Sequence, residues 1–253
     1  MRIDFGKTAG DYATHRAGFP DAFFARLATF GVGLDGQRVL DVGTGTGTLA
    51  RGFAQRGCRA IGIDPSAAML DAARGLDADA GVTVDYRVGR AEDTGLAAGS
   101  VDVVTAGQCW HWFDRPRAAA EARRVLTADG TLVIGHFDWI PLPGNVVEAT
   151  ERLILRHNPA WTFFGSTGLY PLWLEDVAGA GFHDLETFSF DVMAPYTHEG
   201  WRGRIRASAG VAASLPPDAV ARFDDELATL LATSFPASPM GVHHRVFGLV
   251  CRA

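Results

Sequence analysis

Residues 39–48 read Val39-Leu40-Asp41-Val42-Gly43-Thr44-Gly45-Thr46-Gly47-Thr48, and this stretch decides the fold. An apolar strand carrying one acid near its end passes directly into alternating glycines. Glycine adopts backbone angles that a Cβ forbids, and it lets a ligand lie against the main chain. The following residues, Leu49 to Gln55, start a helix whose free N–H groups face that ligand. Strand, glycine turn and helix in this order predict a nucleotide site on a crossover.

Working outward, Ala60-Ile61-Gly62-Ile63-Asp64 reads as a second buried strand tipped by a carboxylate. An acid there can accept hydrogen bonds from both hydroxyls of a ribose. That feature suits NAD and S-adenosyl-L-methionine alike, and two others separate them. The glycines are spaced Gly43-x-Gly45-x-Gly47, whereas the dinucleotide fingerprint is G-x-G-x-x-G. Asp41 would repel a pyrophosphate and attract the ammonium of a methionine moiety. S-adenosyl-L-methionine is therefore the expected cofactor, with S-adenosyl-L-homocysteine as its product. An NAD(P)-dependent Rossmann oxidoreductase is the runner-up. A non-catalytic cofactor-binding module is the third reading, and a tightly packed glycine turn with no ligand is the plainest one.

Composition narrows the partners. A chain of 253 residues holds one sizeable α/β domain with an insertion or small cap. The net charge of −6 speaks against nucleic acid or an anionic membrane surface, both of which want a basic face. No apolar run reaches the roughly 18–20 residues of a membrane span. The stretch Met1-Arg2-Ile3-Asp4-Phe5-Gly6-Lys7 lacks an apolar signal core. Cys58, Cys109 and Cys251 are few and widely spaced, with no C-x-x-C pair, so neither a metal site nor a disulfide framework is expected. A cytoplasmic enzyme acting on a small molecule, monomeric or homodimeric, is the expectation.

The rhythm along the chain supports an α/β fold. Pro20–Phe30 carries apolar residues at helical spacing. Strands are expected over Arg38–Val42, Arg59–Ile63, Val82–Val88, Val101–Ala106 and Thr131–Phe137, and helices over Thr48–Gln55, Ser66–Arg74 and Arg115–Leu126. Asp129-Gly130 supplies a turn before the fifth strand. Short apolar runs between amphipathic helices indicate a parallel sheet covered on both faces. After Phe137 the rhythm breaks: Asp138–Gly181 holds three of the six tryptophans and two amphipathic stretches, Asn145–His157 and Pro171–Ala180. A sheet segment at Leu185–Val192, helices at Glu199–Ser208 and Asp218–Thr233, and a final strand at His243–Cys251 complete the pattern. The expected fold is Rossmann-like and doubly wound, with a mostly parallel seven-stranded sheet, an antiparallel edge strand and a helical lid after strand five. It is read as one domain over 1–253: a lead (1–35), a cofactor core (36–137), the lid (138–181), and C-terminal strands with a helical insertion (182–253).

With Val-Leu-Asp-Val-Gly-Thr-Gly-Thr-Gly, Gly-Ile-Asp-Pro-Ser, Gly-Arg-Ala-Glu-Asp and Gly-Gln-Cys-Trp-His-Trp-Phe-Asp in order, the chain resembles class I S-adenosylmethionine-dependent methyltransferases. Within them it looks closest to the small-molecule group that includes trans-aconitate and ubiquinone/menaquinone-type enzymes. The resemblance puts Asp41, Gly43, Thr44, Gly45 and Gly47 around the methionine portion and Asp64 on the ribose. It opens a helix at Pro65, where no N–H is needed, with Met69 as a soft contact to adenine. It assigns Ala91, through its backbone, and Glu92 to the adenine edge. Gly107 and Gln108 border the sulfonium. Tyr12 and Arg16 match a lead in which tyrosine and arginine cover the cofactor, the arginine pairing with its carboxylate.

Gly107–Asp114 leaves the carboxyl end of the fourth strand, where open α/β sheets bind ligands. Trp112 is read as a site residue, and Trp110 or Phe113 as packing beneath the helix that Asp114 caps. His111 is the candidate catalytic residue: a base with a pKa near neutrality, a substrate hydrogen-bond donor, or a structural histidine. His136, Asp138, Trp139, Trp161 and Tyr170 are the further substrate candidates, with Phe163, Phe164 and Trp173 as extra aromatic wall. Of Arg202, Arg204 and Arg206, alternate helix positions point in different directions, so one of them at most reaches an anionic substrate.

Overall fold

The computed structural model describes residues 18–253, and Tyr12 and Arg16 lie outside them. Helices in chain order are α1 (Asp21–Ala28), α2 (Thr48–Ala54), α3 (Ala67–Ala80), α4 (Arg115–Val125), α5 (Val146–His157), α6 (Leu172–Gly179), α7 (His198–Arg206) and α8 (Pro217–Ser234). Strands are β1 (Arg38–Val42), β2 (Arg59–Asp64), β3 (Asp85–Val88), β4 (Val101–Gly107), β5 (Leu126–Trp139), β6 (His183–Tyr196) and β7 (Met240–Arg252). The described residues form two compact units. One, the glycine-loop unit, comprises 18–137, 169–190 and 246–253; the other, the insertion unit, comprises 138–168 and 191–245.

The strands form a seven-stranded sheet in the order β3-β2-β1-β4-β5-β7-β6. The pairs β1–β2, β2–β3, β1–β4 and β4–β5 are parallel, and the sheet is mostly parallel with antiparallel strands, a Rossmann-like fold. The C-terminal strand β7 lies between β5 and β6, so β6 takes the edge. Strand order reverses direction between β1 and β4. Such a switch point opens a crevice at the carboxyl ends of the strands.

Local chemistry sets the element ends. Helix α3 starts on Ser66, whose hydroxyl accepts from the Met69 N–H, and ends on Gly81 at φ +66°. The Val82 N–H then closes back onto the Asp77 carbonyl, a C-terminal wrap that only a left-handed residue allows. That wrap extends the helix six residues beyond the expected Arg74 and delays β3 to Asp85. Strand β5 starts directly where α4 stops, at Leu126. Asp129-Gly130 is thus not a turn before the strand but an irregularity inside it: Val101 faces Leu126, and Val103 faces Thr131.

The apolar faces meet as their spacing requires. In α4 the buried residues are Ala118, Ala119, Ala122 and Val125, a small-residue face that lies close on the sheet. Trp110, Leu40, Leu132, Ile134 and Phe247 belong to the same core cluster. A smaller cluster joins Ala50, Ala60, Leu70, Ala73 and Tyr86. In the insertion unit, α5 buries Val146, Val147, Thr150, Leu153 and Ile154. Asn145 caps it by accepting from the Glu148 N–H, while the Glu148 carboxylate reaches back to accept from the Gly144 N–H just before the cap. Trp201 is fully buried and donates to Thr150 Oγ1 at 3.1 Å.

Candidate active site

The glycines after β1 have different duties. Gly43, Gly45 and Gly47 all have positive φ, +64°, +54° and +78°, which strains any residue with a Cβ. A Cβ on Gly43 would sit 2.9 Å from both Cys109 Sγ and Phe113, and one on Gly47 would collide with the Tyr86 hydroxyl. A Cβ on Gly45 would meet nothing within 4 Å among the described residues. Gly43 and Gly47 therefore permit packing, and Gly45 presents bare main chain to open space. Arg51 braces the loop, its guanidinium donating to Asp77 Oδ1 at 2.6 Å and to the Thr46 carbonyl at 2.7 Å.

Both strand-tip carboxylates are anchored. Asp41 is 2% exposed; its oxygens accept from Thr44 Oγ1 at 2.6 Å and Thr105 Oγ1 at 2.8 Å. Burial pushes its carboxyl up to about 6, against the pull of those two hydroxyls. Asp41 thus underpins the loop and contributes charge from below it. Asp64 accepts from the Gly45 N–H and the Ser66 N–H, both at 2.9 Å. Burial raises its proton affinity too, with those N–H groups opposing. A carboxylate has about four acceptor sites, so Asp64 keeps capacity for hydroxyl donors.

Around this pair, Pro65 is exposed and Met69 is buried at the start of α3. Ala91 is buried, and Glu92 Oε1 accepts from the Asp114 N–H at 2.9 Å. This bond ties the 89–93 turn to the far end of the 108–114 loop. Gly107 ends β4, and Gln108 follows at φ +60°, a region costly for a residue with a side chain. Its N–H donates to the Gly135 carbonyl of β5 at 2.9 Å. Nothing in the sequence signalled this strained position. Strain of this kind concentrates at ligand sites.

The 110–112 segment is a single 3₁₀ turn that divides its aromatics. Trp110 is buried at 1% exposure and donates to Asp176 Oδ2 at 3.1 Å, while Trp112 is 43% exposed. Asp114 caps α4, accepting from the Arg117 N–H. From Trp112 a ladder of rings runs through the unit: His111 is 4.5 Å from Trp112 and 5.5 Å from His136. His136 is 4.6 Å from Tyr170, with which it shares a hydrogen bond of 3.1 Å at Nδ1. Tyr170 stacks on Trp173 at 4.0 Å, and Phe247 packs against both. Candidates from three separate stretches of the chain, His111 with Trp112, His136 and Tyr170, are therefore neighbours. Phe247, on the last strand, was missed because nothing local marks it.

The remaining candidates lie in the insertion unit. Trp139 donates to Glu151 Oε1 at 2.9 Å and stands edge-on to Trp201. Trp161 is buried beside Gly210, whereas Phe163 and Phe164 are exposed. Asp138 lies within electrostatic range of Arg204. Among the described residues no group of three or more His, Cys, Asp or Glu side chains suits a metal ion, and no helix is long and apolar enough to cross a membrane.

Comparison with known proteins agrees with this geometry. The family model described as a methyltransferase domain matches residues 40–134, from β1 through most of β5. An uncharacterised methyltransferase of Mycobacterium tuberculosis is 37% identical over 181 residues, covering 64% of this chain and 71% of that protein. The ubiquinone biosynthesis O-methyltransferase of Xanthomonas axonopodis pv. citri is 30% identical over 180 residues, covering 69% and 72%. A structure reported for a candidate type II methyltransferase of Anaeromyxobacter dehalogenans superposes with a TM-score of 0.64 at 23% identity, covering 94% and 97% of the two chains. The chain belongs to the class I S-adenosylmethionine-dependent methyltransferases. It is an enzyme, and its methyl donor is S-adenosyl-L-methionine. The residues present fit that donor: open main chain at Gly45, acceptor capacity on Asp64 and no basic side chain on the 43–48 loop.

Proposed function

We propose that this chain methylates a small-molecule acceptor at an O, N or C atom by in-line displacement. The donor supplies an activated methyl group on a sulfonium. Gly45 and its neighbours Gly43, Thr44 and Gly47 would hold the methionine portion, Asp64 with Pro65 the ribose, and Met69, Ala91 and Glu92 the adenine. Gly107 and Gln108 would border the sulfonium, and Tyr12 and Arg16 complete the cofactor set. Because the leaving sulfide is already good, the residues have mainly to align the reactants, a task that contributes on the order of 7–11 kcal/mol.

The observation that carries the acceptor side is the ring ladder from Trp112 through His111 and His136 to Tyr170, at the carboxyl end of β4. His111 is exposed there, and its imidazole can take a proton from an O–H or N–H acceptor. Trp112, His136 and Tyr170 shape the acceptor contact, and Asp138, Trp139 and Trp161 enter the proposal as acceptor residues supplied by the insertion. The proposal extends to a cytoplasmic enzyme, monomeric or homodimeric, that does not act on nucleic acid. Its cysteines are buried thiols, in keeping with a reducing compartment.

The test is a methyl-transfer assay against a metabolite panel, repeated with His111→Ala. As general base, His111 contributes about 10²–10⁴-fold, so kcat falls by that factor and loses its dependence on pH near neutrality. A raised KM with kcat little changed assigns His111 to binding. An unchanged rate removes it from the site.

A further inference from the structure

Helix α7 carries three arginines at alternate positions, and the structure separates them. Arg202 and Arg206, one helical turn apart, share a face, and both pair with Glu199 and Asp224. Arg204 points elsewhere and makes no ion pair with any described residue. Its guanidinium lies over the Trp139 ring, 4.7 Å from the centroid, and is only partly open to solvent. Beside it is Tyr196, whose buried hydroxyl lies within hydrogen-bonding reach of the guanidinium as an acceptor and keeps its own proton to donate. An arginine withdrawn from water without a carboxylate is costly, and burial lowers its proton affinity. Two other groups face it. Asp138 contributes one negative charge at longer range. His244 is held neutral, pushed down to about 4 by its own burial.

We propose that Arg204, Trp139 and Tyr196 form a carboxylate-binding subsite that recognises an acid group on the acceptor. A guanidinium offers a planar two-pronged donor that matches a carboxylate, and Tyr196 supplies a third donor. The face of Trp139 beneath it favours a planar group. The Arg204 charge attracts an anion, and the negative charge of Asp138 at longer range opposes a dianionic phosphate more than a monoanionic carboxylate. The inference rests on the acceptor reading of Asp138 and Trp139, but the binding experiment needs no methyl donor.

The experiment titrates the full chain calorimetrically with sodium butyrate, sodium benzoate and inorganic phosphate, each against chloride of matched ionic strength. At least one carboxylate saturates with millimolar or tighter affinity and more tightly than phosphate. Arg204→Lys keeps the charge but not the fork, and weakens that binding about tenfold or more. Tyr196→Phe weakens it severalfold, and Arg222→Gln, at an exposed arginine paired with Asp218, leaves it unchanged. No saturable heat from either carboxylate in the wild type, equal affinity in Arg204→Lys, or tighter binding of phosphate overturns the subsite. If a neutral acceptor is methylated while the carboxylates stay silent, the subsite falls and the methyltransferase reading stands.

Discussion

The loops leaving β1 and β4 lie side by side at the same end of the sheet, yet they are built on opposite plans. The first is nearly all backbone: three left-handed glycines, a buried aspartate beneath them and an arginine brace. The second is nearly all side chain: one strained glutamine, then Trp110 packed inward and His111 and Trp112 turned outward. They interlock where Cys109 Sγ donates to the Val42 carbonyl at 3.2 Å and where Gly43 leaves no room for a Cβ. On the proposed reading, a cofactor common to a whole family would be held by main chain, which side-chain variation cannot alter, and the acceptor would fall to the loop whose side chains are free to change.

If the first loop is a packed cradle, Gly47→Ala breaks it most severely. The variant carries both a left-handed Cβ and a collision with the Tyr86 hydroxyl, together costing about 2–5 kcal/mol of stability. Denaturant titration reads this loss, and adding Tyr86→Phe restores part of it. A Gly47→Ala protein as stable as wild type would mean the loop is loose.

Asp41 sharpens the comparison through pH. Its folded pKa of about 6 lies above the ordinary 3.8, so between those values the folded state holds a proton that the unfolded chain has released. The stability it contributes is present below pH 4 and is lost as pH rises through 6, a swing on the order of 3 kcal/mol. Asp41→Asn keeps a group able to meet both threonine hydroxyls but cannot titrate. Relative to wild type, it therefore gains stability between pH 4 and pH 7.5 in urea titrations. A difference that does not vary with pH contradicts the buried-carboxylate picture.

The second loop predicts the smallest stability effect. Tyr170→Phe removes the hydrogen bond to His136, about 1 kcal/mol, and lowers Tm by about 2–4 °C. Turnover falls more than that loss of stability implies, because the ring ladder then loses its fixed orientation. Turnover equal to wild type would place Tyr170 in packing alone.

What was legible in the sequence divides along the same line. The order of acid, glycines, helix and second acid is local, and it located β1, α2 and β2 nearly to the residue. Element ends that depend on a wrap, such as α3 ending at Ala80 with Gly81 as its cap, were not legible, because Gly75 inside the helix follows the expected end at Arg74 and reads as an earlier stop. The sequence separated Trp112 as the outward ring from an inward Trp110 or Phe113, and the 3₁₀ turn shows that Trp110 is the one packed fully inward. The meeting of His136 with Tyr170, and of both with Phe247, is a product of strand order. The difference between Arg204 and its two neighbours needed only helical geometry to anticipate, but the partner Asp224 had to be seen to decide which one lacks a counterion.

The most direct test of the account is calorimetric titration of S-adenosyl-L-homocysteine into wild type and Gly45→Ala. Gly45 meets open space, so the alanine strains only its own backbone, about 1–2 kcal/mol, while its methyl group intrudes where the ligand would lie. The account predicts saturable binding to wild type and at least about tenfold weaker binding to a variant that remains folded. Equal affinity in the two proteins, or no heat from folded wild type, contradicts it.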